Sequence, residues 1–149
     1  MPALAGDHVV VKMYASGGSV QAFDAGDIIS VDLGQNYDQH DVTGFGDTVH
    51  KMINGQLKSP ITLKGYLTTT AVTGTHTVIK GAINNQTKMT VEVQIGNNAP
   101  PTTGDPKFSG DFYVASYSQS IAPGGAITFT ATLNPAVGVG SGVPVWGTV

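Results

Sequence analysis

The chain contains no cysteine and no arginine, and only one of its ten acidic residues is a glutamate. Without cysteine, disulfide bonds, zinc–thiolate sites and thiol nucleophiles are excluded. The missing arginine and the net charge of −3 argue against a protein that reads nucleic-acid bases, because bidentate guanidinium contacts are the commonest means of reading guanine. The shortage of Glu and Arg, set against many Gly, Thr, Val and Ser residues, favours a mostly β protein.

Long hydrophobic runs are missing as well. No stretch approaches the roughly 20 apolar residues that span a bilayer, so no membrane partner is expected. Residues 1–7 lack the basic start and apolar core of a secretory signal, which leads us to expect a protein made and kept in a cytoplasm. The 149 residues suit one domain, and with neither a linker nor an internal repeat in view we expect a single domain over residues 1–149.

Alternation of apolar and polar residues predicts six or seven strands, each with one buried face. In the second strand Ile29, Val31 and Leu33 are expected to point inward. In the last long strand the expected inward residues are Ile127, Phe129, Ala131 and Leu133. The clearest predicted strands cover residues 8–14, 28–33, 61–67, 89–95, 112–117 and 127–133.

One helix is predicted, over residues 77–85. Val78, Ile79, Ala82 and Ile83 fall on one helical face. Either Thr75 or Thr77 is expected to cap its start, and the two asparagines at 84 and 85 mark its end.

The segment of residues 35–58 is predicted to be a long loop or an extended hairpin, because Gly44, Gly46 and Gly55 interrupt any strand or helix period. It nevertheless carries five large apolar side chains. Leaving each in water forgoes about 1.5–3 kcal/mol of burial free energy, so we expect another subunit to cover what this domain does not. These side chains belong to Phe45, Val49, Met52, Ile53 and Leu57.

Motifs that would support catalysis or cofactor binding are not found. Residues 37–41 place two carboxylates and an imidazole close together, but metal sites draw ligands from several elements, so a solvated polar loop is the preferred interpretation. The sequence Gly138-Val-Gly140-Ser-Gly142 has no following helix that could hold a phosphate. There is no nucleophile elbow, zinc-protease motif or P-loop. We therefore expect no enzyme, no cofactor and no metal.

Three separated blocks carry a family resemblance. Phe45-Gly46-Asp47-Thr48 precedes the strand Ser59-Pro-Ile-Thr-Leu-Lys-Gly65. A terminal strand, Ala126-Ile-Thr-Phe-Thr-Ala-Thr-Leu133, is followed by the short tail Val143-Pro-Val-Trp-Gly147. In this order the blocks resemble the major tail tube protein of long-tailed, siphovirus-type bacteriophages.

The resemblance implies a mainly β fold, a β-sandwich or half-barrel with one short flanking helix and a long extended loop. It also implies stacked hexameric rings that form the phage tail tube, through which genomic DNA passes during ejection. The implied partners are further copies of the chain, other tail proteins (tape measure, terminator and baseplate or tail tip), and DNA as transient cargo in the lumen. The implied location is the virion, with assembly in the host cytoplasm.

Within that arrangement, the long loop of about 35–58 and the aperiodic tail of about 134–149 are expected to contact other subunits. The expected contacts are Phe45, Val49, Met52, Ile53, Leu57 and Trp146. The polar faces of the strands are expected to form a wet wall that is neutral or acidic. Its candidate residues are Ser30, Asp32, Glu92, Gln94, Thr128, Thr130 and Thr132.

Lys64 is the exception on those polar faces, and we expect it to pair with Glu92 or Asp32 or to lie near an outer surface. Two other functions remain open. One is a non-catalytic β-sandwich binding module, immunoglobulin-like or carbohydrate-binding, which seven short strands would fit equally well. The other is a related secretion-system tube or tail terminator.

Overall fold

The computed structural model describes residues 9–24, 26–96 and 101–149. Within these ranges the chain forms nine strands and one helix, which confirms the predicted mainly β class. The predicted start of the first strand, His8, lies outside the described residues. The elements are β1 (Val10–Ala15), β2 (Ile28–Leu33), β3 (Asn36–Asp41), β4 (Met52–Lys58), β5 (Ile61–Tyr66), α1 (Thr75–Asn85), β6 (Met89–Gln94), β7 (Pro106–Ser120), β8 (Thr128–Pro135) and β9 (Val145–Thr148).

Seven of the strands form one antiparallel sheet in the order β1-β6-β7-β8-β5-β2, with β9 added beside β7. The long strand β7 connects its two halves. The first half of β7 pairs with β6 and β9, and the second half pairs with β8. The remaining strands, β3 and β4, pair only with each other as a separate two-stranded sheet.

The core lies on one face of the large sheet and follows the predicted alternation. Met89, Val91 and Val93 of β6 are buried, as are Phe129, Ala131 and Leu133 of β8. The largest fully buried side chains include Phe108, Phe112 and Phe129. Since apolar burial contributes about 25 cal/mol per Å², this face accounts for most of what holds the sheet together.

Helix α1 packs against β7 and β1, with Ile79 and Ala82 buried as predicted. It begins two residues earlier than predicted, and Gly74 rather than a threonine occupies the N-cap, with no side-chain capping bond. Thr75 is instead fully buried, and its hydroxyl donates to the Tyr66 carbonyl at 2.7 Å. Its side chain fastens the helix to β5 and so cannot serve as a cap. The helix ends at Asn85, as predicted, and its C-cap Gln86 adopts a left-handed conformation with φ 50°.

Two residues predicted to point inward do not. The pairing of β2 with β5 shifts between Ile28 and Ser30, and Ile29 at this bulge is 56% exposed. A bulge inserts one extra residue, which reverses the side-chain alternation locally. Ile127 precedes the first residue of β8 and is also exposed.

The segment of residues 35–58 is a hairpin, as one of the two predicted alternatives stated, but residues 52–58 are strand β4 and not loop. An isolated ribbon exposes both of its faces, so its sequence carries no alternation to detect. The tail is not aperiodic throughout, because β9 pairs with Pro106–Ser109 of β7. Among the described helical residues, none form a helix with the length and hydropathy needed to cross a bilayer.

Candidate assembly surfaces

The β3–β4 hairpin carries five of the six predicted contact residues, all of them apolar. Phe45 and Val49 lie in its tip, and Phe45 is fully exposed. Met52 and Ile53, at the start of β4, are also exposed, whereas Leu57 at the foot is half-buried. None of the five belongs to the hydrophobic core cluster. The hairpin therefore presents apolar side chains that its own chain leaves in water.

Polar contacts give the hairpin tip its shape. The Asp41 carboxylate accepts hydrogen bonds from the Thr43 amide, at 2.9 Å, and from the Thr43 hydroxyl. These bonds, the side-chain bond first, hold the pKa of Asp41 below its ordinary value, and His50 contributes further. The Asp47 carboxylate accepts from the Gly44 amide at 2.8 Å. The backbone of the tip is thus satisfied locally while Phe45 points outward.

The acidic residues of the 37–41 segment take part in the hairpin. Asp38 pairs with Lys58 across the two strands at 3.0 Å, and Asp41 lies 3.5 Å from the His50 ring nitrogen. In the part of the chain that the structure describes, no group of three histidine, aspartate or glutamate side chains could hold a metal ion. Cross-strand charge pairs and turn bonds are what these side chains supply.

Trp146 of β9 touches both the core and the foot of the hairpin. Its ring lies 5.1 Å from that of Phe108, and its Nε1 donates to the Gln35 side-chain oxygen at 3.0 Å. The side chain is 47% exposed. About half of the surface of this predicted contact residue is therefore buried within its own chain, and the other half remains available to a neighbouring subunit.

A groove of about 470 Å³ separates the hairpin foot from the C-terminal tail. It is mostly apolar, and the buried Ser59 hydroxyl in its wall has no hydrogen-bond partner among the described residues. Sequence reasoning missed this groove, since it joins segments about 80 residues apart that the pairing of β5 with β8 brings together. Its lining residues are Gln56, Leu57, Ser59, Pro135, Ala136, Val137, Gly138, Val143 and Pro144.

The face of the sheet opposite the core is polar along four adjacent strands: β2, β5, β8 and the second half of β7. Pairing aligns Ser30, Lys64, Thr130 and Ser118 in one row across the strands. A second row contains Asp32, Thr62, Thr132 and Ser116, and a third contains Tyr66, Thr128 and Ser120. We call this surface the polar wall. Apart from Asp32, Lys64 and Tyr66, every residue in these rows is a serine or threonine.

The polar wall gathers five of the predicted lumen residues: Ser30, Asp32, Thr128, Thr130 and Thr132. The other two lie on β6, which β7 separates from β8. Gln94 is 8% exposed, which does not fit the prediction of a wet face, because Val10 and Lys107 flank it on both neighbouring strands. Glu92 accepts a hydrogen bond from the Tyr14 hydroxyl at 3.1 Å.

Sequence reasoning missed Thr62 and the serines of β7 as members of the wall. The alternation of Ser116, Ser118 and Ser120 was a usable signal for the serines. The sequence did not reveal which face these serines occupy, because the register shift between Val114 and Ser116 is a bulge, and a bulge changes which residues share a face.

Of the two alternatives predicted for Lys64, pairing with a carboxylate is not found among the described residues, and a position near an outer surface stays a prediction. Lys64 is exposed on the polar wall, and the ion pairs of the described residues involve Lys51, Lys58 and His50. Asp32 is a diagonal neighbour across β2 and β5, and it does not appear among these ion pairs. Glu92 lies beyond β8 and β7.

Of the sheet edges that lack a partner strand among the described residues, two border the polar wall, namely β2 and the second half of β7, whereas β1 at the other end of the strand order lies away from it. Strand β2 ends the strand order. The second half of β7 pairs with β8 on one side, but its pairing with β6 stops at Phe112. An unpaired edge is a template for pairing with another chain, and both of these edges border the polar wall.

This seven-stranded sheet with its flanking helix and separate hairpin has the fold of tail tube proteins. The chain superposes on a subunit of the SPP1 tail tube with a TM-score of 0.72, covering 99% of this chain and 80% of that one at 10% identity. A subunit of a native gene transfer agent particle gives 0.69 and 12% identity, with 99% of each chain covered. A chain from the sheath–tube complex of the PVC extracellular contractile injection system gives 0.66 and 16% identity, covering 99% of this chain and 93% of that one.

No protein-family model matches the sequence, and no curated protein matches it significantly. At these identities the likeness establishes the fold alone, so the function has to be argued from the surfaces described above.

Proposed function

We propose that the chain is a structural virion protein whose stacked hexameric rings make a phage tail tube through which DNA passes. The observation that carries the proposal is the polar wall. An entire face of four strands is left uncovered by its own chain and consists largely of hydroxyl side chains. A surface of this kind suits the lining of a water-filled channel, and the fold is one that tube subunits adopt.

Ring closure would use the two unpaired edges. If β2 of one subunit lies beside the second half of β7 of the next, the polar wall continues from subunit to subunit and both edges that border it are paired. Closure of this kind removes the aggregation hazard that open edges carry. It also places the wall on one side of the ring and the apolar core on the other.

Stacking would use the hairpin. Only another subunit could remove from water the exposed apolar side chains of the hairpin, which belong to Phe45, Val49, Met52 and Ile53. The groove beside Ser59 is a fitting receptor, because it is apolar and its one buried hydroxyl lacks a partner. A projection that fits a groove elsewhere on the same surface gives a head-to-tail contact, and such contacts build an open stack when the rotation between subunits does not close a ring.

A role as a tube subunit also implies a domain organisation, a set of partners and a location for the chain. Residues 1–149 act as one tail-tube-like domain without catalytic, cofactor or metal residues. The partners are copies of the chain and other tail proteins, namely tape measure, terminator and baseplate or tail tip. DNA is transient cargo, and the protein resides in the virion tail after assembly in the host cytoplasm.

Negative-stain electron microscopy of the purified protein tests the proposal. Six-fold rings that stack into tubes are the expected result. Single rings that do not stack would favour a tail terminator, and a monomer at high protein concentration would favour a binding module. Detection of the chain in purified DNA-containing particles would separate a phage tube from a secretion-system tube.

A further inference from the structure

We infer that Lys64 is a phosphate-contacting residue of the polar wall, presented once per subunit to the backbone of duplex DNA. The inference rests on the proposed function, because it requires the wall to line a channel. It goes further in naming the residue and the chemical group that meet there.

The position of Lys64 keeps it open to the channel. Strand β5 is an interior strand with β2 on one side and β8 on the other. A seam between subunits at the sheet edges would therefore involve β2 and β7 and leave β5 uncovered. On the opposite face of the strand, the neighbouring Leu63 and Gly65 are buried. The lysine side chain accordingly extends from the uncovered face of the sheet.

The surroundings of Lys64 leave its charge available. Its direct neighbours in the row are Ser30 and Thr130, which are hydroxyl residues without charge. The one carboxylate in the rows of the wall, Asp32, is a diagonal neighbour, and the ion pairs of the described residues do not include Lys64. Asp32 lowers the net charge of the wall but forms no ion pair with the Lys64 ammonium group.

The residue type also fits a contact that must be released. An ammonium group on a flexible stem is a strongly hydrated point charge, whereas a guanidinium fork holds phosphate in two parallel bonds. The sequence contains no arginine. At physiological salt the Debye length is about 8 Å, so one screened contact per subunit steers the duplex without retaining it.

Lysine footprinting on wild-type tubes tests this directly. Tubes are assembled at low salt with and without a short DNA duplex, and then treated with an acetylating reagent small enough to enter the channel. Mass spectrometry then measures modification at each lysine. We expect the duplex to protect Lys64 and to leave Lys80, exposed on α1, unchanged. Equal acetylation of Lys64 with and without the duplex, or equal protection of Lys80, would overturn the inference.

A charge-neutral variant gives a second measurement. Tubes of Lys64→Gln should bind the duplex about tenfold more weakly than wild type at low salt, with a shallower salt dependence, because each phosphate contact contributes a slope of roughly −0.9 to log K against log salt. Lys80→Gln removes the same charge elsewhere and should match wild type. An unchanged Lys64→Gln affinity would count against the inference.

The two proposals fail in different ways. Tubes that form but leave Lys64 unprotected overturn only the assignment of Lys64. Wild-type protein that forms no ring overturns the proposed function and this inference together.

Discussion

Trp146 and Gln35 are 111 positions apart, and the indole Nε1 of the first donates to the side-chain oxygen of the second at 3.0 Å. The bond joins β9 to the residue that precedes β3. Because the Trp146 ring also packs on Phe108, one side chain connects the core, the C-terminal strand and the foot of the hairpin.

Truncation of this side chain should lower stability. We expect Trp146→Ala to reduce the free energy of unfolding by about 2 kcal/mol, since a half-buried aromatic ring loses roughly half of its burial. Trp146→Phe keeps the contact with Phe108 and should lose about 1 kcal/mol, the net value of one hydrogen bond. Urea unfolding followed by circular dichroism measures both. No loss in Trp146→Phe would mean that the hydrogen bond contributes nothing, and equal losses in the two variants would mean that the packing of the ring contributes nothing.

Hydrogen exchange should distinguish the hairpin in the monomer from the hairpin in the assembly. A two-stranded ribbon is marginally stable alone, so amides of residues 38–58 should exchange rapidly in the monomer. Rings that cover Phe45 and Met52 should slow this exchange, while β8 remains protected in both states. Equal protection of the hairpin before and after assembly would contradict its role as a contact between subunits.

Substitutions in the hairpin should block stacking and leave the fold intact. Phe45→Ala removes apolar area from the contact, and Met52→Asp places a charge in it, which costs far more when buried. Val20→Asp is the matched control, because Val20 is similarly exposed but lies outside the hairpin. Electron microscopy reports stacking and thermal melting reports the fold. Normal tubes from both hairpin variants would rule out this surface as the stacking contact.

The bulge in β2 predicts unequal effects of two similar truncations. Leu63→Ala empties a fully buried site and should lower the free energy of unfolding by about 2–5 kcal/mol. Ile29→Ala should change it by less than about 1 kcal/mol, because Ile29 is mostly in water. Denaturant melts of the two variants measure this, and a large effect at Ile29 would place its side chain in the core.

The tip of the hairpin should respond to acid through Asp41. The folded pKa of this carboxyl lies below its ordinary value, with the Thr43 hydroxyl as the largest cause. A depressed folded pKa gives stability that is present above the unfolded value and is lost as the pH falls through the folded value. Carbon-detected NMR titration should therefore find Asp41 titrating below a model peptide. In Thr43→Val the pKa should move back toward the ordinary value, and an unchanged pKa would exclude the Thr43 hydroxyl as the cause.

The sequence by itself determined the class of fold and most of the core. Residues such as Val91, Phe129 and Leu133 alternate with polar neighbours, and alternation is a local signal that survives without knowledge of the partner strand. The apolar side chains of the hairpin were also visible, because hydrophobicity in a glycine-rich segment needs no tertiary information to recognise.

Tertiary structure decided which polar residues share a surface. Ser30 and Ser118 lie in one row only because β5 and β8 stand between β2 and β7, and strand order cannot be read from alternation. Two bulges turned Ile29 outward and changed the face of β7 beyond Val114. The Trp146–Gln35 bond depends on β9 reaching β7, and the groove beside Ser59 depends on β5 pairing with β8. Register and long-range pairing are set by the sum of many contacts, so no single stretch of the chain encodes them.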